Sequence, residues 1–165
     1  MAKPVKEDAV AAGFREAVAA TGQLQWRAGL QAVKKSKGGG QITCDDPRKL
    51  LGGAAIDDDC LAKHPSANRW DYVLGCRRTR NAVAFFIEVH SAETSAVSKL
   101  ADKLAWLQTF LQQDAQQKLA GLTREFHWVA SGRINIPKHV PQYRFLSTTL
   151  RTRGLKGPSK QLTLA

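Results

Sequence analysis

Arg69-Trp70-Asp71-Tyr72-Val73-Leu74-Gly75 and Ala84-Phe85-Phe86-Ile87-Glu88-Val89-His90 decide how this chain folds. Each reads as an apolar strand that carries one carboxylate. Between them, Arg78-Thr79-Arg80-Asn81 reads as a tight turn with a two-residue loop at Thr79-Arg80. With Arg78 opposite Asn81, each step back along the first strand is a step forward along the second. Asp71 then falls directly across from Glu88, with Cβ atoms about 5 Å apart. Two like charges at that distance repel, and a carboxylate inside an apolar strand is costly unless it is paired or binds a metal. A divalent cation held between them would relieve the repulsion. A loop one residue longer or shorter would turn the two acids to opposite faces.

Both strands are apolar on both faces. Tyr72, Leu74 and Cys76 alternate with Val73 and Gly75. Two-sided burial predicts central strands covered by helices on each side. Upstream, Val10, Phe14 and Val18 place one apolar stripe on a helix over residues 5–20, ended by Gly22. Lys34-Lys35-Ser36-Lys37-Gly38-Gly39-Gly40 reads as a flexible basic loop whose lysines would touch phosphates. Asp45-Asp46-Pro47 reads as the entry to a short helix through Leu51, and Ile56-Asp57-Asp58-Asp59 as an edge strand or a capping turn.

Downstream, Ser91 and Glu93 introduce a helix over 95–114 with the stripe Leu100, Leu104, Leu107 and Leu111. Phe126-His127-Trp128-Val129-Ala130 is a strand. Arg133-Ile134-Asn135-Ile136 is a second short one, joined to it by Ser131-Gly132. A short helix is expected around Gln142 to Leu150, followed by a basic tail. The expected class is α/β: a central mixed sheet with helices on both faces. Residues 1–165 form one domain, with a basic C-terminal extension from about residue 137.

The chain has 165 residues, enough for one domain with a core. Its 25 Lys and Arg against 14 Asp and Glu give a net charge of +11. After residue 115 there are nine Lys or Arg against one acid, Glu125. That asymmetry points to a polyanionic partner: nucleic acid (DNA or RNA) first, an acidic protein second. The contact candidates are Arg78 and Arg80 at the hairpin turn, Lys99 on the long helix, and Arg133, Lys138, Arg144, Arg151, Arg153 and Lys156. No apolar run is long enough to span a membrane, and the start of the chain shows no secretory pattern, so a cytoplasmic protein without a membrane partner is expected. Three cysteines do not make a disulfide framework.

His90 lies two residues beyond Glu88, on the same strand face, where it would serve as base or ligand. Ordinary ion pairing is the competing expectation: Asp71 with Arg69 or Arg77, Glu88 with His90 or Arg69. The spacing of Cys44, Cys60, His64 and Cys76 matches no compact zinc knuckle, so core cysteines are expected. Asp57-Asp58-Asp59 is expected on the surface. Of the tryptophans, Trp70, Trp106 and Trp128 lie in apolar elements, and Trp26 is the one expected to be exposed for base stacking.

The element order and these residues resemble the PD-(D/E)xK nuclease-like superfamily over roughly residues 5–130. The resemblance implies a restriction-endonuclease-like sandwich. Asp71 takes the place of the first acid, and Glu88-Val89-His90 that of the (D/E)xK tripeptide, with His90 where the lysine is expected. It further implies Mg²⁺ bound by Asp71 and Glu88, with phosphodiester hydrolysis as the activity. His90 would be one basic group. Some relatives move that group to the following helix, which implicates Lys103, with Lys99 one turn before it. Glu16 would be an additional acid. A catalytically inactive member that binds nucleic acid or an acidic protein, as an assembly subunit or an antitoxin- or immunity-type protein, is the alternative expectation.

Overall fold

The structure is a computed structural model that describes residues 8–165. The expected start of the first helix at Val5 lies outside the described residues. Helix α1 spans Ala9–Ala20. Asp8 caps it, its Oδ1 accepting from the N–H groups of Val10 and Ala11 at 3.0 and 3.1 Å. Five strands then form the main sheet: β2 Leu50–Ala55, β3 Tyr72–Arg78, β4 Asn81–Glu93, β5 Thr123–Asn135 and β6 Leu155–Ser159, in the spatial order β2-β3-β4-β5-β6. The first three are antiparallel neighbours, and β5 and β6 are added parallel. A parallel addition needs a crossover, and α3 (Ala96–Leu111) provides the one from β4 to β5. A separate pair, β1 (Ile42–Cys44) with β7 (Leu162–Leu164), runs parallel.

The hairpin register is the one read from the sequence. Arg78 pairs with Asn81 and Tyr72 with Ile87. The turn places Thr79 at φ 58, a left-handed conformation.

The two faces of the sheet are covered differently, which corrects the expectation of helices on both. Val73, Ala84, Phe86 and Trp128 pack with Phe14 and Val18 of α1 and with Leu100, Leu104 and Leu107 of α3. Tyr72, Leu74, Cys76, Phe85, Ile87 and Val129 pack instead against Ala32, Ile42 and Leu164. Helices cover one face. The β1–β7 pair and the irregular segment before it cover the other. Strands apolar on both sides require two covers, but an alternating Ile42/Cys44 and Leu162/Leu164 edge serves as well as a helix.

α1 crosses the sheet closely at Gly75. A Cβ there would lie 2.7 Å from three atoms of the Phe14 ring. Gly75→Val is therefore expected to lower stability by about 1–3 kcal/mol through overpacking, read as a lower urea midpoint with unchanged slope. An unchanged midpoint would mean that α1 can slide away from the sheet.

Several local expectations are corrected. Pro47–Lys49 is a single 3₁₀ turn, and Leu50 begins β2 instead of continuing a helix. The Asp46 side chain caps that turn, but the following apolar, glycine-containing run can pair with β3. Ile56–Cys60 is a short helix, α2, and not an edge strand. Residues 123–135 form one strand, β5, carrying an irregularity where two strands were expected. The helix expected around Gln142–Leu150 forms as α5 (Pro141–Phe145), continued by a wide turn over Leu146–Leu150. The segment after it is not a free tail: it supplies β6 to the main sheet and β7 to the small one. Helix α4 spans Gln117–Ala120. No helix among the described residues is long and apolar enough to cross a membrane.

Candidate active site

Asp71 is the residue immediately before β3, and Glu88 lies in the middle of β4. The register brings them side by side: the backbone N–H of Asp71 donates to Glu88 Oε2 at 3.0 Å, and the N–H of Val89 donates to Asp71 Oδ2 at 2.8 Å. Both are shut away from water, at 1 % and 0 % exposure. Each carboxylate thus has one oxygen held by the backbone, which leaves one oxygen on each to be satisfied.

Two lysines meet those oxygens. Lys103 of α3 donates to Glu88 Oε1. It stands three residues after Leu100 and beside Leu104, at the edge of the buried stripe, so its stem runs along the core and its ammonium reaches the sheet. Lys37 lies 2.5 Å from Asp71 Oδ1. The expectation of pairing with Arg69, Arg77 or His90 is corrected: Arg69 binds Asp57 at 2.9 Å and Arg77 binds Asp8 at 2.5 Å. Two carboxylates and two ammonium groups form a quartet that is neutral when all four are ionised.

Lys37 is the residue that sequence reading missed. The Lys34–Gly40 segment was expected to be a flexible loop, but it is docked. Tyr72 donates its hydroxyl hydrogen to the Lys37 carbonyl at 2.8 Å and accepts from the Lys34 N–H at 3.2 Å. Lys34 also binds Asp58 at 2.9 Å. Gly38 follows with φ 94, and a Cβ there would lie 2.8 Å from a Val89 methyl. Only glycine allows the chain to pass so close to β4 and hand Lys37 to Asp71. The signal was present in the sequence: two buried acids in register call for two cations, and a lysine followed by three glycines can approach a strand closely.

Burial raises the Glu88 pKa to about 8, helped by the neighbouring Asp71 charge and opposed by Lys103. Burial raises Asp71 as well, against the pull of Lys37. For Lys37, burial acts downward, yet the contact with Asp71 leaves its pKa raised overall. A carboxyl whose folded pKa exceeds its unfolded value of 4.5 holds an extra proton when folded, so its contribution to stability falls as pH rises from about 4.5 to about 8. Glu88→Gln is expected to flatten the decline in urea midpoint over that range. An unaltered pH slope in the variant would show that Glu88 is not the group responsible.

Other expected site residues fall elsewhere. The His90 ring meets Ser91, with Nδ1 3.1 Å from its carbonyl oxygen and 3.2 Å from its hydroxyl, and it makes no hydrogen bond to either acid. The β4–β5 ladder stays regular through His90, which pairs with Ala130, and shifts only between His90 and Ala92. Lys99 reaches Asn68 at 2.5 Å instead of an acid. Glu16 pairs with Lys118 at 2.7 Å on an exposed surface and is not part of the site. Cys60 packs on the helical face and Cys76 on the opposite one. Asp57, Asp58 and Asp59 are engaged by Arg69, Lys34 and Arg27. Trp26 is half-buried, donating to the Leu51 carbonyl at 2.9 Å with Arg15 over its ring, so it offers no open stacking face.

The quartet can be tested against Mg²⁺. Among the described residues no group of three or more His, Cys, Asp or Glu side chains could hold a metal. Mg²⁺ asks for less, since it commonly takes one or two carboxylates and completes its shell with water and substrate oxygens. Asp71 Oδ1 is buried and lacks a hydrogen bond of ordinary geometry, although the Lys37 ammonium stands against it. A small cavity of about 10 Å³, bordered by Lys34, Lys37, Asp57, Asp71 and Tyr72, opens beside it. Lys37 is the half-exposed member of the quartet, at 37 % side-chain exposure, and occupies the position a cation would take. The donor set therefore fits a divalent cation that displaces Lys37. Comparison with protein-family models, with curated proteins and with solved structures finds no match.

Proposed function

We propose that this protein is a nucleic-acid-binding, Mg²⁺-dependent phosphodiesterase of the PD-(D/E)xK nuclease type, with Lys103 in the role of the motif's lysine. One observation carries the reading: Asp71, Glu88 and Lys103 converge at one end of the β3–β4 hairpin although they are spread over the chain. The element order supports it. A helix, three strands, a following helix and a further strand are the order the resemblance implies, and the main elements come in that order. The covering of the second face by β1 and β7 is a departure from the implied sandwich.

Asp71 and Glu88 would hold the cation through their carboxylates. Bound there, a divalent ion would polarise a phosphate oxygen and lower the pKa of a coordinated water. The residues of the chain do the rest. The N–H groups of Asp71 and Val89 fix both carboxylates, so the donors are set before substrate arrives. Lys103 opposes the rise that burial imposes on the Glu88 pKa and would place a positive charge where phosphoryl charge develops. Lys37, freed from Asp71 and carried on a glycine-flanked turn, is positioned to meet a phosphate.

A second reading is a nuclease-like binder without turnover, favoured by the closure of both acids by lysines. One assay separates the two. Single- and double-stranded DNA and RNA are incubated with the protein in Mg²⁺, Mn²⁺ or EDTA. Metal-dependent cleavage is expected. Retarded complexes with every nucleic acid intact in both metals would leave the binder. Neither cleavage nor retardation would redirect the search to an acidic protein.

A further inference from the structure

Beyond Glu88 and His90 the β4–β5 ladder loses its regular register. His90 pairs with Ala130, but Ala92 pairs with Ile134. One residue of β4, Ser91, therefore faces three of β5, Ser131-Gly132-Arg133. The extra length pushes β5 outward, and residues 131–135 are all exposed. Bulges of this kind leave backbone groups unpaired and occur often beside active sites. A cleft of about 500 Å³ lies at this bulge, bordered by Ser91, Glu93, Ser131, Arg133, Asn135 and Lys160. That volume lies in the range of small-ligand sites, roughly 300–1,000 Å³.

The chemistry of the cleft matches a nucleotide unit. Arg133 and Lys160 supply two cations, and neither forms an ion pair with a described residue. Four of the other contact candidates are engaged within the fold: Arg78 and Lys156 by Glu125, Arg153 by Gln108, Lys99 by Asn68. The Ser131 hydroxyl is a donor of the sort that grips phosphate oxygens, and a bulge of this kind leaves backbone groups unpaired. Glu93 and Asn135 pair in register at the far end of the ladder. An acid and an amide there suit a base edge, not a phosphate. Lys160 is fixed from behind, because Gln41 Nε2 donates to both the Ala130 and Lys160 carbonyls, at 2.6 and 3.0 Å.

We infer that this bulged cleft, on β4 beyond Glu88, is a nucleotide subsite that holds the phosphodiester backbone of the substrate strand. The inference rests on the proposed function and deepens it, since it assigns where the polymer lies. Asp71→Asn, which is meant to prevent cleavage, serves as the binding background, with a labelled 12-nucleotide single strand as probe and anisotropy as readout. Adding Arg133→Ala and Lys160→Ala is expected to weaken binding at least tenfold. It should also reduce the slope of log K against log salt by about 1.4, from two lost phosphate contacts at about 0.7 each. Lys63→Ala with Arg124→Ala removes the same charge from exposed positions outside the cleft and is expected to change affinity less than threefold. Urea midpoints of both pairs should match the background protein, since the four side chains are exposed.

Equal losses from the two pairs would mean diffuse attraction and would overturn the subsite while leaving the nuclease reading intact. Unchanged binding and slope in Arg133→Ala/Lys160→Ala would do the same. A background protein that binds no nucleic acid, alongside a wild type that neither binds nor cleaves, would overturn both.

Discussion

Lys103→Met is expected to lower stability by about 3–5 kcal/mol at pH 9 and by far less at pH 6. Glu88 is completely buried, and Lys103 is the cation on its Oε1. Removing one partner of a buried pair leaves the other charge uncompensated in an apolar surrounding, which is what makes such losses large. Methionine retains the stem that packs beside Leu100 and Leu104, so the change isolates the charge. The sign with pH follows from the raised pKa of Glu88. Without Lys103 the carboxyl is pushed higher still, and the folded state holds its proton over a wider range than the unfolded chain. Stability then falls more steeply with rising pH in the variant than in the wild type. Urea unfolding at the two pH values measures this. Equal losses at pH 6 and pH 9 would mean that the damage comes from packing and that Lys103 does not serve Glu88.

Glu88→Gln is expected to reduce metal-dependent cleavage at least about a hundredfold while oligonucleotide affinity stays within a few-fold of wild type. Even partners that only orient a metal ligand commonly cost 10–100-fold when removed, and Glu88 is proposed as a ligand itself. Glutamine retains the acceptor for the Asp71 N–H and loses the charge that a divalent cation needs. The nucleic acid is expected to be held by Arg133 and Lys160, outside the quartet, so binding and turnover should separate. Cleavage at the wild-type rate by a folded Glu88→Gln protein would remove Glu88 from the chemistry.

On the proposed reading a cation would have to displace Lys37 from Asp71 Oδ1, and Lys37 is the member with access to solvent. Lys103 is only 12 % exposed at its side chain and stays with Glu88. The two lysines are thus unequal: one is fixed by a long helix, the other is delivered by a turn pinned through Tyr72. Such a division lets one cation leave without disturbing the fold.

The sequence by itself determined the hairpin and, through it, the acid pair. A two-residue turn sets the register for every residue behind it, because strand pairing is rigid and has period two. Arg78 opposite Asn81 therefore carries Asp71 to Glu88 without any long-range information. The long helix was legible for a similar reason, since Leu100, Leu104, Leu107 and Leu111 repeat at its own period. The tertiary structure alone decided which cations answer the acids. Lys103 stands on the crossover helix and Lys37 is separated from Asp71 by β1, β2 and α2, and nothing local in the chain fixes either distance. The same holds for the second face of the sheet: apolar strands declare that a cover is needed, but β1 and β7 find each other across the whole main sheet's length of chain. His90 shows the limit of periodicity from the other side. Alternation places it on the strand face of Glu88 and the ladder is regular through it, yet its ring meets Ser91 and neither acid, because a shared strand face does not fix a side-chain partner.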